Sequence, residues 1–151
     1  KDGIDEVDFL VSFNKGEPVK PLSKVASGGE LSRFMLAIKT VLGNKLPQQT
    51  KIFDEIDSGV DGKVAYSIAN KIKEISKNSQ VLCITHLPQV ASISDNQLLI
   101  KKNIVGERTL TEICELDLDG RITEIASMIS NGEVTKASIA LAKEMLFKEI
   151  F

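Results

Sequence analysis

The 151 residues are 42% hydrophobic and set 19 basic against 21 acidic side chains, a formal net charge of −2. That apolar content over that length suffices for one domain with a real core, and the balanced charge excludes a global basic field that would hold nucleic acid or a membrane surface. No apolar run approaches the roughly eighteen residues of a membrane span and no secretory start is visible, while Cys83 and Cys114 lie far apart without metal-like spacing, as expected of reduced core thiols in a cytosolic protein.

In chain order, VDFLVSF and PVKPLSKV flank the turn-rich NKGE and predict an antiparallel pair, with Pro18 and Pro21 favouring an edge. Leu31, Phe34, Met35, Ile38 and Leu42 fall at helical spacing, and Gly43 followed by Pro47 ends that helix. KIFDE (51–55) is a short strand. Val64, Ile68, Ile72 and Ile75 mark the next helix, and QVLCIT (80–85) is an apolar run of the sort found in strands covered on both faces. NQLLIKK and RTLTEICEL predict a hairpin around Val105-Gly106-Glu107, and from about Gly120 the tail reads as two helices separated near Asn131-Gly132. The alternation of strand and helix between residues 25 and 85 predicts an α/β fold whose parallel strands are joined by right-handed crossovers. A ligand then sits beyond the carboxyl ends of those strands, where Asp54 and Glu55 end one and Thr85 and His86 end another.

Each candidate there has a structural reading beside the functional one. Asp57, Ser58 and Asp61 have the chemistry of a turn and a helix N-cap. Asp54 and Glu55 are adjacent carboxylates at a strand end, which alternation sends to opposite faces. One is then free to anchor a metal's water shell while the other polarises a nucleophile. Ser27 and Glu30 have the spacing of a capping box, but the paired Gly28 and Gly29 between them leave backbone N–H groups open to close approach at a helix N-terminus, where an anion such as phosphate is favoured. His86, the single histidine, reads either as a hydrogen-bonded structural residue or as a sensor of a terminal phosphate.

SGGE, then an apolar pair with DE, then DSGVDG, then an apolar run with TH, in that order, resemble the ATP-binding-cassette ATPases. KVASGGELSRFMLAIK, IFDEIDSGVDGKVA and VLCITHLPQVAS resemble more narrowly the RecN family, SMC-like bacterial proteins of DNA double-strand-break repair and recombination, across nearly the whole chain. The resemblance implies a single domain over residues 1–151, the C-terminal lobe of an ATPase head: a mainly parallel sheet flanked by helices, with peripheral hairpins and two C-terminal helices. It implies ATP and Mg²⁺ as cofactors. Ser27, Gly28, Gly29 and Glu30 match the signature that contacts the γ-phosphate of ATP on the opposing head. Asp54 matches the Walker B aspartate supporting Mg²⁺, Glu55 the glutamate that activates water, His86 the switch histidine, and Ser58, Gly59 and Asp61 the loop linking the two sites. Implied partners are the N-terminal Walker A lobe, a second head, and DNA through the full assembly, in a cytoplasmic, nucleoid-associated setting.

Two departures stand out: Ala26 replaces the leucine that often opens the signature, and Lys51 interrupts the apolar run before Asp54. No G-x-x-x-x-G-K-[ST] occurs, and GVDGK does not substitute for it because its glycines are too close and Val64 follows Lys63. The chain, which begins at Lys1 rather than methionine, therefore reads as half of a split active site and as inactive alone. Two alternatives stay open. One is a metal-dependent hydrolase using Asp54, Glu55, Asp57 and His86; the other is an interaction module docking a partner through the terminal helices.

Overall fold

The computed structural model describes residues 3–12, 15–25, 27–42, 49–106 and 108–147. At the amino end, β1 (Leu10–Val11) and β2 (Lys20–Pro21) pair antiparallel. The Leu22 N–H continues the pairing past Pro21 by donating to the Phe9 carbonyl at 2.7 Å, and the chain then turns into the short helix α1 (Leu22–Val25). Phe9 reaches over to meet the ring of Phe34 edge-on, centroids 6.3 Å apart.

Phe34 belongs to α2 (Gly28–Leu42), whose start is fixed by a reciprocal cap: the Ser27 N–H donates to Glu30 Oε2 at 2.8 Å and the Glu30 N–H to Ser27 Oγ at 3.3 Å. The predicted stop at Gly43 and Pro47 lies outside the described residues. The apolar stripe is only partly covered. Gly29 and Leu36 are buried and Phe34 and Ile38 half-buried, whereas Leu31 (45%), Met35 (38%) and Leu42 (38%) stay exposed. Ser32 and Arg33 turn inward with Leu36, because backbone carbonyls of the loop after the next strand accept from both.

That strand is β3 (Lys51–Phe53), which pairs in parallel with β4 (Val81–Cys83) in the register Lys51↔Val81, Ile52↔Leu82, Phe53↔Cys83. Between them runs α3 (Gly62–Ser76), capped by Asp61, which accepts from the Val64 N–H at 2.9 Å. Ile68, Ile72 and Ile75 point inward with Ala65 and Ala69. Leu36, Phe53, Ile56, Ile68, Ile72, Ile75 and Val90 form the first core. Lys51 shares the buried face of β3 with Phe53 and is only 5% exposed, its ammonium donating to Ser79 Oγ, so the strand is buried from its start despite the charge.

The other face of the pair carries Ile52, Leu82 and Ile84, which are 67%, 45% and 53% exposed. The expectation that QVLCIT is covered on both faces is therefore corrected: among the described residues, packing covers the Phe53 and Cys83 side only. After α4 (Pro88–Ala91), β5 (Leu98–Val105) and β6 (Arg108–Glu115) form the anticipated antiparallel hairpin. Then come α5 (Leu118–Ile129) and α6 (Lys136–Phe147), separated by Asn131 and Gly132 at φ 51° and 103°. The two helices close a second core of Ala91, Ile122, Ile125, Ala126 and Ala142. The fold is mixed α/β with hairpins at its periphery and two C-terminal helices, and parallel pairing among the described residues is confined to β3 and β4.

Candidate functional site

Immediately beyond β3 the chain turns sharply. Glu55 adopts φ 55°, a left-handed conformation uncommon for a non-glycine residue, and the Ser58 N–H closes back on the Glu55 carbonyl at 3.1 Å. Gly59 at φ 68° completes the reversal, a position that favours glycine. Strand alternation therefore does not extend to Asp54 and Glu55, and the turn rather than the pleat aims their side chains.

On one side of this loop lies the N-terminus of α2. Ser32 Oγ donates to the Asp54 carbonyl at 3.0 Å, and Arg33 Nη1 donates to the carbonyls of Ile56 at 3.3 Å and Ser58 at 2.9 Å. The approach is close at both glycines. A Cβ on Gly28 would stand 2.8 Å from Glu55 Oε2, and one on Gly29 would stand 3.1 Å from both the Glu55 carbonyl and Ser58 Cβ. The Glu30 carboxyl lies below its usual range, chiefly through the Ser27 N–H and then the Ser27 hydroxyl and the charge of Arg33.

On the other side the loop holds the end of β4. Asp57 is 3% exposed, and its Oδ2 accepts from Thr85 Oγ1 and from the His86 N–H at 3.0 Å, with His86 Nδ1 3.3 Å away. Thr85 Oγ1 in turn accepts from the Leu87 N–H at 3.0 Å. Asp57 lies within the turn, as its residue type suggests, but its side chain caps no helix and instead fastens one strand end to the other. Asp61 does take the capping role. Burial, then the charges of Asp57 and Asp54, push the Cys83 thiol up to about 12, which leaves it an inert packing group.

The loop Asp54–Asp61 therefore gathers Ser27, Gly28, Gly29 and Glu30 on one flank and His86 on the other. Sequence reading missed Ser32 and Arg33, placed Thr85 at the strand end without giving it a role, and undervalued Asp57. Their signal was faint: polar residues on an apolar helix, and a hydroxyl just before the histidine. Asp54, Glu55, Asp57 and His86 do not converge as a metal-holding set, since no cluster of three or more metal-ligating side chains exists among the described residues.

No protein-family model matches the chain. DNA repair protein RecN of Halalkalibacterium halodurans is 53% identical over 146 residues, covering 97% of this chain and 26% of its own length. RecN of Bacillus subtilis is 53% identical over 144 residues (95% and 25%), and RecN of Vibrio cholerae 42% identical over 144 (95% and 26%). Over nearly its whole length, the chain is RecN-like in sequence. It spans about a quarter of the length of these RecN relatives. A solved chain, from work on the structural biochemistry of ATP-driven dimerization and DNA-stimulated activation of SMC ATPases, overlays loosely on 70% of this chain and 62% of its own, at 28% identity and a TM-score of 0.48.

Proposed function

We propose that this chain is the C-terminal lobe of a RecN-type ATPase head in DNA double-strand-break repair and recombination, a single domain over residues 1–151 that completes its site only with other protein. The observation that carries the reading is the loop Asp54–Asp61, which sets the SGGE helix start against Glu55 and anchors the His86 turn through Asp57. RecN similarity over the same residues supports it. So does the shape of the lobe: parallel strands are normally buried on both faces, whereas Ile52, Leu82 and Ile84 face outward, a surface suited to the N-terminal Walker A lobe. No helix among the described residues is long and apolar enough to cross a membrane, and a cytoplasmic, nucleoid-associated setting follows from the proposed role. DNA is engaged by the full assembly.

Asp54 fits a magnesium ion bound with ATP, because that ion takes one or two carboxylates together with phosphate oxygens and water and needs no all-protein cage. Bound there, Mg²⁺ and ATP supply the phosphoryl group and neutralise its charge. Glu55 orients the attacking water and takes its proton. His86 meets the terminal phosphate, the backbone N–H groups of Gly28 and Gly29 with Ser27 and Glu30 meet the phosphate held by a second head, and Ser58, Gly59 and Asp61 link the two sites. Lacking a phosphate-gripping loop, the 151-residue chain alone neither binds nor hydrolyses ATP.

The test is Glu55→Gln in the full-length protein. Replacing the base while keeping its shape lowers turnover by about 10²- to 10⁴-fold and leaves ATP-driven head association intact, read by steady-state hydrolysis and by sizing in ATP. Turnover near that of the unsubstituted protein would assign Glu55 to the turn alone.

A further inference from the structure

His86 carries its side chain largely in the open, 72% exposed, yet its Nδ1 lies 3.3 Å from a carboxylate oxygen that is almost entirely buried. That oxygen, Asp57 Oδ2, already accepts from the Thr85 hydroxyl and from the backbone N–H of His86 itself. Both bonds fix the Asp57 carboxylate and the main chain carrying the imidazole, and the ring's rotamer turns Nδ1 toward that fixed carboxylate. A carboxylate in that position accepts and does not donate. The tautomer of a neutral imidazole is set by the hydrogen bond made at its other nitrogen.

We infer that Asp57 is a positioning residue for His86, holding the neutral ring with its proton on Nδ1 and presenting Nε2 outward as the free nitrogen. The inference rests on the ATPase reading for its consequence but not for its geometry. The outward Nε2 is an acceptor in the neutral ring and becomes a second donor once the ring takes up a proton. A phosphate oxygen arriving at His86 then finds one defined atom, and Asp57 compensates the charge from behind. Thr85 completes the arrangement: its hydroxyl donates to Asp57 while its oxygen accepts from the Leu87 N–H, which locks the turn between β4 and α4.

The tautomer is directly readable, because this chain contains one histidine and its ring ¹⁵N resonances need no assignment. Long-range ¹H–¹⁵N correlation of the unsubstituted chain, at a pH where the ring is neutral, is expected to show the Nδ1–H form as the majority, the reverse of free histidine in water. In Asp57→Leu, which keeps comparable bulk but removes the accepting oxygen, the population is expected to move toward Nε2–H. A majority of Nε2–H in the unsubstituted chain overturns the inference, as does an undiminished Nδ1–H form in folded Asp57→Leu. The full-length protein supplies the second arm: Asp57→Leu is expected to lower kcat by about ten- to a hundred-fold with KM little changed, and adding it to His86→Ala is expected to cost nothing further. Independent, multiplying losses overturn the positioning role. Absence of ATPase activity in the unsubstituted full-length protein would instead overturn the functional reading and leave the tautomer result standing.

Discussion

Arg33 Nη1 donates to the carbonyls of Ile56 and Ser58, and those two bonds determine how closely the start of α2 lies against the loop after β3. The adjoining glycines answer to the same closeness in different ways. At Gly28 the nearest obstacle to a Cβ is the end of the flexible Glu55 side chain; at Gly29 it is Arg33 Nη1, with the Glu55 carbonyl and Ser58 Cβ close behind. Gly28→Ala is therefore expected to fold with undiminished stability, since Ala is the better helix former, while displacing the Glu55 carboxylate and lowering turnover in the full-length protein. Gly29→Ala forces backbone apart and is expected to destabilise by about 1–3 kcal/mol. Urea denaturation of the two variants checks the contrast, and equal stabilities would refute it. The same geometry means that a bulky side chain at Gly29 damages its own lobe before it meets a phosphate on a second head.

At the scale of elements, strand β4 shows why some features were legible and others were not. Existence and order of the helices followed from periodicity: Ile68, Ile72 and Ile75 are buried where their spacing places them, and the β5–β6 hairpin formed around its Gly106 turn. Which face an element buries was harder to read. On α2, Leu31 and Met35 stay exposed while Ser32 and Arg33 find carbonyl acceptors, and such acceptors exist only once the loop 54–58 has folded. In β4 the outward Leu82 and Ile84 are as apolar as the inward positions. Cys83, on the inner side, gives this face a pH signature. Its folded-state value of about 12 lies above the ordinary thiol value near 9, so the neutral thiol's contribution to stability is complete below pH about 8.5 and is lost as pH rises toward 12. Stability measured against pH is expected to fall over that window, and less steeply in Cys83→Ala. At pH 8 Cys83 is expected to resist alkylation until the chain unfolds.

For the whole molecule, the exposed apolar positions belong to more than one element: Ile52, Leu82 and Ile84 on the parallel pair, and Leu31, Met35 and Val41 on α2. Apolar surface on this scale marks an interaction site or an aggregation liability. Leu82→Lys combined with Ile84→Glu is expected to change the stability of the 151-residue chain by no more than about 1 kcal/mol, as surface substitutions do, and to reduce its self-association in light scattering. In the full-length protein the same pair is expected to expose the head to limited proteolysis. An unaltered digestion pattern there would mean that this face is not the one the remaining chain covers.

The crossover from β3 through α3 to β4 has a consequence for the order in which the protein is made. Paired residues such as Phe53 and Cys83 are separated by one helix of sequence, and α5 and α6 meet across a short connection. The α5–α6 contact is local and forms early, because little loop entropy opposes it, whereas the parallel β3–β4 pairing waits for its crossover helix. As the chain leaves the ribosome, each of these units is able to consolidate within a few dozen residues of being synthesised, and domains generally fold as units in that N-to-C order. The β3–α3–β4 unit then carries its uncovered isoleucines and leucine while later residues are still being added, so the growing polypeptide has its greatest need of a chaperone, or of an already folded neighbouring lobe, during that interval.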